Sequence, residues 1–120
     1  MPPYSPEQAT VAAELARDLR DYDGRLCQLL EERWDAGQYR ALCDQFDAMQ
    51  MRSQLLPRLA TTWTELLISR IELAHALWSL TMPSRVNGRI MGRHAQHRVL
   101  VRAALRTCEQ YVVPTAAAPA

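Results

Sequence analysis

His94 and His97 are three residues apart, a step that sets two imidazoles side by side on one helix face. Two such rings can share a metal ion, but a zinc site needs three or four ligands. No second cluster with ligand spacing accompanies them, so the expectation is no metal site. His94 and His97 are its weak candidates, and they fit better as neutral rings bonded to a neighbouring helix. Cys27, Cys43 and Cys108 are odd in number and lack CxxC spacing. Each falls on or near an apolar stripe, as reduced thiols in a reducing compartment do. Glu72 and His75 form an i, i+3 pair with Glu65 and Ser69 along the same stripe, a combination that can move protons. Nothing pairs it with a nucleophile: GxSxG, GxGxxG, HExxH and an EF-hand loop are all absent from the sequence. All 14 basic residues are arginines. The lack of lysine excludes a Walker-type phosphate lysine, a Schiff-base lysine and a lysine general base. The chain is therefore expected to carry no catalysis and no cofactor.

The arginines suggest contacts instead. Arg70 projects from the apolar side of its segment, where a guanidinium must reach the edge, pair with a carboxylate or face a partner. Asp23, which intrudes on the dry stripe of the first helical segment, can be its counter-ion if the two helices pack antiparallel; otherwise it sits at the stripe's margin in water. Arg89, Arg93, Arg98, Arg102 and Arg106 are spread along the last helical segment and can follow a phosphate backbone. Arg70, Glu72, His75, Arg98 and Arg102 are the candidate partner-binding residues.

The elements that position these residues follow from apolar spacing. Residues 59–82 form the most apolar long run. Leu59, Ala60, Trp63, Leu66, Leu67, Ile71, Leu73, Ala74, Leu77, Trp78 and Leu80 fall in one broad helical arc, opposite Thr61, Glu65, Ser69, Glu72, His75 and Ser79. Glu65, Arg70, Glu72 and His75 inside the run argue against a membrane span. Ahead of it, Ser5-Pro6-Glu7-Gln8 predicts a capped helix start, and Val11 to Trp34 recur at three- and four-residue steps up to about Asp35. Gly37 then supplies a left-handed stop. A second segment begins near Gln38 with the seam Tyr39, Leu42, Cys43, Phe46, Met49, Ser53 and Leu56. Its phase continues through Pro57 to Trp63 and Leu77, which predicts one long helix kinked at Pro57; two separate helices are the alternative. Thr81 to Ser84 ends the central helix, and Ser84 or Asn87 caps the last. That helix runs from Val86 to Val112, with Ile90, His94, His97, Val101, Ala104, Leu105, Cys108 and Val112 inward. Gly88 and Gly92, four apart, would let another backbone approach.

With 48% hydrophobic and 22% charged residues over 120 positions, the composition is that of one globular domain. The expected architecture is all-α: an up-down helical bundle of three long helices, the middle one kinked at Pro57, or of four helices. A tail at 1–5 precedes a single domain over 6–112, and a disordered Pro/Ala tail at 113–120 follows it. The N-terminal residues form no secretory signal, which points to the cytoplasm. Charge is polarised. Residues 1–50 carry five arginines against ten acids, and residues 84–120 six arginines against one, so the two ends can attract each other within a bundle, between two copies or toward outside partners. No family motif is matched. The expected function is a small cytoplasmic protein-protein interaction module (adaptor, chaperone or regulator), working as a homodimer through its central or last helix. The alternative is a nucleic-acid-binding regulator that uses the arginine helix.

Overall fold

The computed structural model describes residues 5–78 and 88–112. They form α1 (Pro6–Glu31), α2 (Ala36–Ser53), a 3-10 turn at Pro57–Leu59, α3 (Ala60–Trp78) and α4 (Gly88–Val112), and no strand occurs among them. The expected end of the central helix at Thr81–Ser84, the cap at Ser84 or Asn87, and the Pro/Ala tail lie outside the described residues.

α1 starts where its capping box requires. The Gln8 amide donates to Ser5 Oγ at 3.0 Å and the Ser5 amide to Gln8 Oε1 at 3.3 Å. The helix stops at Glu31, earlier than the apolar spacing predicts, because Asp35 is used to begin the next one. Asp35 Oδ1 accepts the Gln38 amide at 3.0 Å as the N-cap of α2. Trp34 just before it packs on Tyr39 with ring centroids 5.3 Å apart, a hydrophobic staple across the cap. Gly37 therefore lies in the first turn of α2 with an ordinary φ, and the expected left-handed stop is not used.

Of the two readings at Pro57, the single kinked helix does not form and the alternative of two separate helices holds, with a chain reversal between them. Leu56, driven out of helical geometry by the proline after it, has φ −121° and ψ 88°, and Pro57 opens the 3-10 turn. Beyond the turn the chain runs back along α2. Phe46 stacks on Trp63 at 5.2 Å, and Arg70 bonds Asp47 at 3.3 Å. The three-four phase survives Pro57 because Leu56, Leu59 and Trp63 are all buried anchors that hold the turn against the core. Tyr111, near the end of α4, fixes the same turn by accepting the Arg58 amide at 3.0 Å through its hydroxyl.

The result is an up-down-up-down four-helix bundle. α1 packs on α2 and α4, and α3 packs on α4, whereas α2 and α3 stand wider apart and meet mainly through side chains. One aromatic layer takes a member from every helix: Tyr22 lies 5.6 Å from Phe46 and 5.7 Å from His97, and Phe46 also contacts Trp63. The close approach expected at Gly88 and Gly92 does not occur; no described atom lies within 4 Å of a Cβ built there. Val112 is partly exposed, and Tyr111 takes the inward place expected for it. Among the described residues, no helix is long and apolar enough to cross a membrane.

Reversal and kink differ in a measurable distance. Spin labels at positions 47 and 71 are expected to lie within about 20 Å of each other; a continuous helix would hold them about 36 Å apart at ~1.5 Å per residue. A dipolar distance near the longer value would reject the reversal.

Candidate functional site

The bundle places His97 at its centre, fully buried, with both ring nitrogens engaged. Ser69 donates its hydroxyl proton to the Leu66 carbonyl at 2.8 Å, so at 2.7 Å from His97 Nδ1 its oxygen is the acceptor and the ring is the donor. Nε2 is then the unprotonated nitrogen and accepts the Tyr22 hydroxyl at 2.9 Å. This assignment satisfies every donor in the set, and it fixes His97 as a neutral ring. Burial, helped by the nearby His94, holds the imidazole down at about 4. Burial pushes the Tyr22 phenol well above its ordinary value. His94 bonds elsewhere: its Nε2 lies 3.8 Å from Cys27 Sγ. Burial raises the Cys27 thiol and lowers the His94 imidazole, so that pair stays neutral and provides no thiolate nucleophile. The two histidines thus do not turn free nitrogens toward a common point. Among the described residues, no group of three His, Cys, Asp or Glu side chains is placed to hold a metal ion.

Asp23 neither pairs with Arg70 nor sits at the margin in water, the two alternatives for it. Asp23 lies on the α4 side of α1 and takes a bidentate bond from Arg98, Nε to Oδ1 at 3.1 Å and Nη2 to Oδ2 at 3.3 Å. This pairing raises the already basic Arg98 further. Arg70 faces α2 instead, where its guanidinium carbon lies 4.5 Å from the centre of the Phe46 ring and Nη1 reaches Asp47. The two residues sit on different sides of the bundle, so helix levels alone could not have paired them. Glu72 is bonded by Arg93 of α4, while His75 points outward without joining it. Arg102 is exposed, as are Arg89 and Arg106.

The broad apolar arc of α3 divides into two stripes on opposite sides. Leu59, Leu66 and Leu73 are buried, and Ser69, expected on the wet side, is buried with them to serve His97. Opposite them, Ile68, Ile71 and Trp78 are 51%, 59% and 84% exposed. This outward ridge is flanked by two grooves. The one toward α2, about 510 Å³, is lined by Tyr39, Arg40, Cys43, Arg70, Ala74 and Trp78. The one toward α4, about 370 Å³, is lined by Glu65, Ile68, Glu72, Gln96, Val99 and Leu100. Of the sequence candidates, Arg70, Glu72 and His75 gather around this ridge, whereas Arg98 and Arg102 lie beside a shallow depression near His94. Ile68 and Val99 carried no separate signal in the sequence, because a second apolar stripe on a helix looks like a widening of the first.

The neutral His97 implies an acid dependence. Its folded value near 4 lies below the ~6.5 of an unfolded chain, so between these two only the unfolded state takes up the proton. Stability present above pH ~6.5 is lost as pH falls to about 4, by roughly 1.4 kcal/mol per unit and about 3 kcal/mol in all. In urea unfolding at pH 7 and pH 4.5, His97→Gln should remove this share of the slope; an unchanged slope would reject the neutral assignment.

Compared with protein-family models, with curated proteins and with solved structures, the chain matches none.

Proposed function

We propose that this protein is a small protein-protein interaction module, an adaptor, chaperone or regulator acting in the cytoplasm without catalysis, and that it meets its partners through the outward face of α3. The observation carrying this reading is that Ile68, Ile71 and Trp78 remain uncovered on a helix whose opposite side already fills the core. An apolar ridge between two grooves lined by both apolar and charged side chains is a surface that another helix can cover. The neutral Cys27–His94 pair and the fully bonded His97 support a structural use of the groups that could otherwise do chemistry. Free thiols at Cys27, Cys43 and Cys108 agree with a reducing compartment.

The nucleic-acid reading rests on the exposure of Arg89, Arg102 and Arg106 along α4. It is weakened because Arg93 and Arg98 are committed to Glu72 and Asp23, and Glu109 of the same helix is bonded to Arg20. A mobility-shift assay with generic duplex DNA at about 50 mM salt separates the two readings, since phosphate contacts are strongest at low salt. No retention is expected. Retention that disappears in an Arg102→Glu, Arg106→Glu variant, which leaves the Asp23–Arg98 pair intact, would favour the regulator and overturn the interaction module.

A further inference from the structure

We infer that the outward ridge of α3 is a self-pairing seam: two copies of the chain dimerise through it, with their α3 helices parallel and in register. The inference rests on the interaction-module reading and names its partner.

Three observations carry it. Thr61, Thr64, Ile68, Ile71, His75 and Trp78 follow one another at alternating three- and four-residue steps, the spacing with which helices interlock side by side, and all six are exposed. The seam lies directly opposite Leu66 and Leu73, so a second helix can approach it without disturbing the core. The two grooves beside it differ in sign: Arg40 and Arg70 line the one toward α2, and Glu65 and Glu72 the one toward α4.

The charges decide the orientation. A two-fold axis parallel to α3 exchanges left and right as the copies face each other, so the arginine groove of each copy opposes the glutamate groove of the other. Arg70 and Glu72 are two residues apart on α3 and therefore close in level. An axis perpendicular to α3 would make the helices antiparallel and set arginines against arginines and glutamates against glutamates. Arg70 and Glu72 are each partly neutralised by Asp47 and Arg93, so the charges select the arrangement while Ile68, Ile71 and Trp78 supply the affinity.

The test uses the full chain. Light scattering across the micromolar range should show a mass rising to twice that of the monomer. Ile71→Asp, at an exposed position that leaves the core untouched, should weaken dimerisation at least ~100-fold with unchanged helicity by circular dichroism, as expected for facing charges placed in an apolar contact. Thr64→Cys and His75→Cys, oxidised separately and compared with the oxidised parent chain, should each give a covalent dimer. The two positions lie about 16 Å apart along α3, and an antiparallel pair crosses its own copy at only one level. Cross-linking at one position alone overturns the parallel arrangement. A dimer that survives Ile71→Asp overturns the surface. A monomer at every concentration overturns self-pairing, and the interaction-module reading then stands or falls on the DNA assay.

Discussion

A neutral imidazole sealed in a dry core has to be bonded at both nitrogens, and His97 meets this demand by drawing on two other helices. The Tyr22 hydroxyl from α1 and the Ser69 oxygen from α3 close on the ring from α4, and leaving either nitrogen unbonded would cost about 1–3 kcal/mol. Hydrogen bonds are directional where apolar contacts are not, so this set defines the level at which α1, α3 and α4 sit against one another. Phe46 brings α2 to that level by contacting Tyr22, Trp63 and His97. The buried Trp63 indole N–H finds no described hydrogen-bond partner, a penalty set against the stacking of its ring on Phe46.

Much of the fold was legible in the residues themselves. The Ser5–Gln8 cap is local chemistry that tertiary structure does not alter, and the seams of α2 and α4 are read off at three- and four-residue steps with few exceptions. The polar environment of the histidines was equally visible, since a His on an apolar stripe must find a partner. What escaped was non-local. The sequence leaves Asp23 either paired with Arg70 or at the margin in water, and its bond to Arg98 is not legible there, because periodicity gives a residue's angle on its own helix but not which neighbour that angle meets. Pro57 reads as a kink or as a break because Leu56, Leu59 and Trp63 keep the same spacing whether they continue a helix or pin a turn.

The central helix shows the deeper ambiguity. Its apolar residues fill two opposite stripes, and a sum over hydrophobicity cannot distinguish one broad stripe from two narrow ones. Ser69 and Ile71 exchanged expected places for this reason: the serine is buried because His97 needs its oxygen, and the isoleucine is exposed because the core is already filled from the other side. The inward stripe is the more apolar of the two, and Ser69 is the one polar residue it admits because His97 bonds its oxygen.

The uneven spacing of the helices has a consequence for motion. α2 is held to α1 by Arg52 on Asp18 and by Gln45 between Asp18 and Asp21, but across the α3 side it relies on the Phe46–Trp63 stack and the Arg70 contacts. Local opening follows the least extensively packed boundary. The α2–α3 boundary is thus where local opening is expected first, while the α1–α4 side, tied by the Tyr22–His97 bond, is the one expected to stay closed.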